Sequence, residues 1–113
     1  MANMKVSFRK KLQGGDLLIG TVMTLPSPEI GEIYSMAGLD WLFIDLEHSV
    51  MSLKDAQRIL QATASKIQSL VRVPSIDEVW IQKALDIGPS GIIIPQVKTA
   101  DDVTLVVQCC KYP

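Results

Sequence analysis

Basic surplus, spaced cysteines, long apolar runs and a glycine-rich phosphate turn are all missing from this sequence, and each absence closes off a class of function. Eleven Lys plus Arg stand against twelve Asp plus Glu, a formal net charge of −1 over 113 residues. Gripping a phosphate backbone takes clustered basic side chains, so no nucleic-acid partner is expected. No apolar run approaches the ~20 residues of a spanning helix, and the opening MANMKVSFRKK has none of the apolar core of a secretory signal. The expectation is a cytoplasmic protein without a membrane partner. Cys109 and Cys110 are adjacent, which suits neither a disulfide framework nor the spaced pairs of a zinc site. They read as packing residues of a helix. Gly20 stands alone inside an apolar stretch with no G-x-G-x-x-G after it.

What is present is apolar and rhythmic. Hydrophobic residues make up 48% of the chain, a high share for one small domain that buries roughly two thirds of its unfolded surface. Part of that apolar surface is therefore available for a partner. A basic opening with helical character (Val6 to Leu12) runs into the Gly14-Gly15-Asp16 turn, and residues 17–25, LLIGTVMTL, read as a first strand. Ser27-Pro28-Glu29 supplies a cap, a proline at the first helical position and an early acid, and Gly38 closes that helix. WLFIDL (41–46) is a nearly unbroken apolar run, as in a parallel strand covered on both faces. Ser52 to Asp55 resembles a capping box, followed by Leu53, Ala56, Ile59, Leu60 and Thr63 at helical spacing. SLVRVP (69–74) is a third strand. Ser75 or Asp77 opens a helix with Val79, Ala84 and Leu85 on its stripe, stopped by Gly88-Pro89. GIIIPQV (91–97) is a fourth strand, and Thr99 to Asp102 opens a helix carrying Val103, Val106, Val107 and Cys110 on one face.

Four strand-helix units with short links demand parallel strands joined by right-handed crossovers. The repeat of roughly 25 residues is close to the ~30 per unit of an eight-unit barrel of ~250 residues. The expected fold is α/β, a partial TIM barrel of about four βα units in one domain over residues 1–113. An open doubly wound sheet is the competing topology, and it normally carries the glycine-rich turn that is missing here.

The segment WLFIDLEHSV poses the chemical question, because a buried run ends in Asp45, Glu47 and the only histidine, His48. Alternate residues of a strand share a face, so Asp45 and Glu47 point the same way where the chain leaves the sheet. Loops beyond the carboxyl ends of parallel strands build ligand sites. A carboxylate on one imidazole nitrogen would make His48 a general base, with Asp45 the candidate partner; a loop cap beside a surface histidine is the plainer alternative. Arg72 interrupts the apolar strand SLVRVP. It needs a carboxylate from the neighbouring strand, an anionic ligand, or both. Asp86, near a helix C-terminus, is disfavoured by the helix dipole and invites a partner or a role, with a plain surface aspartate as the alternative. Trp41 and Trp80 read as packing residues, and Pro95 as shaping the loop after the fourth strand.

The series GLDWLFIDLEHSV, LVRVPS, ALDIGPSGIIIPQVKTADD and the closing KYP resembles the HpcH/HpaI aldolase and citrate lyase family, in particular its 2-keto-3-deoxy sugar acid and 4-hydroxy-2-oxoheptanedioate aldolase branch. The resemblance runs over essentially the whole chain. It implies a modified TIM barrel, a homo-oligomer, and a class II aldolase that cleaves a 2-oxo acid to pyruvate and an aldehyde with a divalent metal, Mg²⁺, Mn²⁺ or Co²⁺. It further implies that His48 is the catalytic base acting through a metal-bound water, that Asp45 orients it, and that Arg72 binds pyruvate oxygens and stabilises the enolate. Glu47 takes a place near the metal without ligating it, and Asp86 reaches an active site across a subunit interface. The family's two acidic metal ligands and its glycine-rich carboxylate cradle belong to later strands than those preceding Pro113. No metal ligand is thus assigned in this chain, and the chain alone is expected to be inactive. Two other readings stay open: a noncatalytic half-barrel that self-associates through its open sheet edges, and a small α/β module that holds an anion on Arg72.

Overall fold

The computed structural model describes residues 4–111. Its elements alternate as α1 (Met4–Gln13), β1 (Gly20–Met23), α2 (Pro28–Ser35), β2 (Trp41–Asp45), α3 (Leu53–Thr63), β3 (Gln68–Arg72), α4 (Glu78–Asp86), β4 (Gly91–Ile93) and α5 (Ala100–Cys110). The four strands form one parallel sheet in the order β1-β2-β3-β4. Every crossover moves one place in the same direction, as in a barrel, and the order never reverses as a doubly wound sheet requires. The half-barrel expectation holds.

Side-chain caps start the helices. Ser27 accepts from the Ile30 amide ahead of α2, and the Ser52–Asp55 and Thr99–Asp102 pairs are reciprocal capping boxes for α3 and α5. Asp77, rather than Ser75, caps α4 by accepting from the Val79 and Trp80 amides. Gly88, at φ 84°, makes the left-handed turn out of α4 that only glycine makes without strain.

The sheet has two unlike faces. Met23, Ile44 and Val71 are register partners and are sealed beneath the helices with Ile59, Leu60, Ile81, Ala84 and Cys109. On the other face Val22, Phe43 and Leu70 align. Phe43 and Leu70 are half-buried, and Val22 is 54% exposed.

Some boundaries differ from the sequence expectation. Pairing begins at Gly20 rather than residue 17, because the Ile19 amide donates to Asp40 Oδ2 (2.8 Å) instead of to a strand. β4 ends at Ile93 rather than residue 97. Pro95 has no amide to extend the ladder, and Gln96 turns to φ 54°. On α4 the buried residues are Ile81 and Ala84, while Val79 is exposed. On α5 Cys109 is buried and Val106 packs on the core, whereas Val103, Val107 and Cys110 are exposed. The end of that helix is apolar on several sides, so more than one stripe fitted the sequence; packing against α4 selects the one with Val106 and Cys109. The KYP close is described only to Lys111, and Tyr112 and Pro113 lie outside the described residues.

Candidate active site

β2 ends at Asp45 and β3 at Arg72, and the parallel register sets these residues side by side. Asp45 is 2% exposed. Its carboxylate accepts Arg72 Nε on Oδ1 (3.1 Å) and Nη2 on Oδ2 (2.8 Å), a two-pronged charge-assisted contact. Oδ1 also accepts the backbone amides of Glu47 (2.8 Å) and His48 (3.2 Å), which bends the chain out of the strand. Ser49 Oγ then donates to the Asp45 carbonyl (2.5 Å) and accepts from the Met51 amide (3.1 Å).

Burial by itself would raise the Asp45 pKa. The Arg72 hydrogen bond, the two backbone amides and the guanidinium charge together outweigh burial and hold the carboxyl below its ordinary 3.8. The bond to Asp45 is also the main reason that Arg72 is pushed up, against the opposing effect of burial and with help from the Asp45 and Glu47 charges. Both groups are ionised at neutral pH.

Glu47 gathers the remaining polar groups. Its Oε1 lies 3.4 Å from Arg72 Nε and 3.3 Å from His48 Nε2, and its Oε2 accepts Gln96 Nε2 at 3.4 Å. The His48 side chain is 70% exposed. This corrects the expected Asp45–His48 dyad: Asp45 meets the backbone amide of His48, and Glu47 meets the imidazole. Both Asp45 oxygens are already taken by Arg72 and the loop amides. Beneath the arginine, the Phe43 ring centre lies 4.9 Å from Arg72 Cζ.

His48, Asp45, Arg72 and Glu47 therefore share one rim of the sheet. Asp86 does not join them. It ends α4, which runs back from the end of β3 to the start of β4, so it stands at the opposite pole of the unit. Two members of the cluster had not been singled out from the sequence. Phe43 could have been, being two positions before Asp45 and hence on the same face. Gln96 carried no such signal, since its reach to Glu47 depends on a left-handed backbone. A cavity of about 410 Å³ adjoins the cluster, with Pro74, Ile76, Pro95, Gln96 and Lys98 in its wall.

Among the described residues no three His, Cys, Asp or Glu side chains gather closely enough to hold a metal ion. The carboxylates nearest the imidazole are engaged by Arg72. The donors of the described residues do not by themselves fit the divalent ion that the resemblance implies.

The HpcH/HpaI aldolase/citrate lyase family model matches residues 19–113. The chain belongs to this family. Over 95% of its length it is 38% identical to a 4-hydroxy-2-oxovalerate aldolase of Rhodococcus jostii and 39% identical to a hydroxypyruvate/pyruvate aldolase of Roseobacter denitrificans. It spans 42% of the length of each of these relatives. The crystal structure of an HpcH/HpaI aldolase/citrate lyase family protein from Burkholderia cenocepacia superposes with a TM-score of 0.87 at 32% identity, over 95% of this chain and 43% of that one. The four βα units thus correspond to part of a larger HpcH/HpaI barrel, and the Asp45–Arg72 rim lies at the carboxyl ends of its strands.

Proposed function

We propose that this chain supplies the base-and-arginine half of an HpcH/HpaI aldolase site, a carbon–carbon lyase acting on 4-hydroxy-2-oxo or 2-keto-3-deoxy acids to give pyruvate and an aldehyde. The observation that carries the reading is the register pair Asp45–Arg72, which holds a cation with part of its donor set unused beside an exposed imidazole. Asp45 occupies Nε and Nη2, so the remaining guanidinium N–H groups are left for the carboxylate and keto oxygens of a 2-oxo acid. As the carbon–carbon bond breaks, its electron pair becomes the pyruvate enolate, whose negative oxygen the same cation stabilises. Glu47 beside Nε2 favours the tautomer protonated there, which leaves His48 Nδ1 to accept a proton from the C4 hydroxyl and to return it to the enolate carbon, completing the pyruvate methyl group. Asp45 serves by fixing Arg72 and the loop that carries His48.

A divalent ion would supply Lewis-acid polarisation of the keto acid, with ligands from outside the described residues. Turnover therefore needs more than this chain, which is proposed to be inactive alone. The residue Asp86 is assigned to a contact between subunits of a homo-oligomer, and the protein to the cytoplasm.

The test is exchange of pyruvate methyl protons in D₂O, followed by NMR with Mg²⁺ or Mn²⁺ present. Exchange that His48→Ala abolishes supports the base assignment, and exchange undiminished in that variant ends it. No exchange in the parent chain is the result expected if the chain is inactive alone.

A second reading has its own observation. The exposed Val22 and the open edges of β1 and β4 favour self-association of half-barrels. A solution mass of one chain at micromolar concentration would remove it.

A further inference from the structure

The guanidinium of Arg72 has two kinds of support. Asp45 holds it by an edge, through Nε and Nη2, with the Glu47 carboxylate 3.4 Å from the same Nε. Phe43 holds it by a face, with Cζ 4.9 Å from the ring centre. The second contact follows from the register. Phe43 and Asp45 share a face of β2, Arg72 stands opposite Asp45 on β3, and Phe43 is then diagonal to the arginine and one pleat below it. Trp41 packs on Phe43 from beneath, with ring centres 6.0 Å apart and planes tilted by 45°, so the aromatic floor is itself buttressed. A carboxylate alone leaves the guanidinium free to rock about the axis of its two hydrogen bonds. An aromatic face removes that freedom, and it favours a cation without using any of its N–H donors.

We propose that Phe43 is a positioning residue for oxo-acid binding, keeping the Arg72 fork flat so that the edge not engaged by Asp45 faces the ligand. This rests on the reading of Arg72 as the oxo-acid anchor. Phe43 itself touches no reacting atom. Its effect comes through the arginine and depends on an aromatic face at this position, beyond hydrophobic bulk.

The experiment compares Phe43→Leu and Phe43→Tyr in the full 113-residue chain, with pyruvate as the probe and ¹⁵N-labelled arginine as the reporter. Leucine keeps the apolar volume and removes the face; tyrosine keeps both. Pyruvate binding about three- to tenfold weaker in Phe43→Leu, with Phe43→Tyr close to the parent, is the expected outcome for a cation–π contact at a half-exposed site. Equal affinity in the parent and Phe43→Leu overturns the proposal. The Arg72 Nε–H resonance gives a readout independent of ligand. It should lose its ring-current shift and exchange faster with water in Phe43→Leu only; an unchanged resonance in that variant also overturns the proposal. If the parent binds no pyruvate while the resonance responds as expected, Arg72 is not the oxo-acid anchor and the assignment to ligand binding falls with it, whereas a weakened affinity without any change at Nε–H assigns Phe43 to ligand contact and overturns its positioning role.

Discussion

The two faces of the sheet obey different rules. Toward the helices, Met23, Ile44 and Val71 form a row with essentially no exposure, where volume and apolarity decide. On the far face Val22 remains half open, and the same strands end in Phe43, Asp45 and Arg72, where charge, ring orientation and hydrogen-bond direction decide. Strand alternation lets one five-residue segment, Trp41–Asp45, serve both purposes. Apolar packing is thus concentrated on one side and directed polar contacts on the other, and substitutions should separate them.

The largest effect is expected on the covered side. Ile44→Ala should cost about 4 kcal/mol in urea unfolding, since the gap it leaves is walled by strands and helices that cannot collapse into it. A loss below ~1 kcal/mol would show that this face is not the core. Arg72→Met comes next, at about 3 kcal/mol, because it strands a buried carboxylate that still keeps its two amide donors. This difference has a pH signature. Asp45 has a depressed pKa in the native state, so its contribution is complete above its ordinary 3.8 and is lost as pH falls through the lower native value. Parent and Arg72→Met should converge in stability there, and a gap that stays constant as Asp45 protonates would contradict the assigned pairing. Smallest is Val22→Thr on the open face, expected within ±0.5 kcal/mol of the parent. A loss comparable to that of Ile44→Ala would mean that something covers Val22 in solution.

Much of this arrangement was legible in the residues. The Ser52–Asp55 box and the stripe of Leu53, Ala56, Ile59, Leu60 and Thr63 specify α3 through local chemistry alone, and the stripe is buried except for the half-buried Leu53. Arg72 inside an apolar strand announced its need for a carboxylate, and the parallel pairing of β2 with β3 brought Asp45 opposite. The extent of β4 was less legible, because the apolar run of GIIIPQV continues through Ile94 and Pro95 past Ile93, where the strand ends. The partner of His48 was not legible. Asp45 and Glu47 are both close in sequence, and the choice between them is made by Arg72, which occupies Asp45 from another strand. Gln96 enters the cluster through a left-handed backbone that glutamine does not advertise.

The link from β2 to α3 is tethered at its start by the Asp45 carboxylate, in its middle by Ser49 and at its end by the Ser52–Asp55 box. Such a segment has little disorder left to surrender when a guest arrives. A ligand docking against this link would accordingly meet a backbone already set, and the link itself would add no slow step to association.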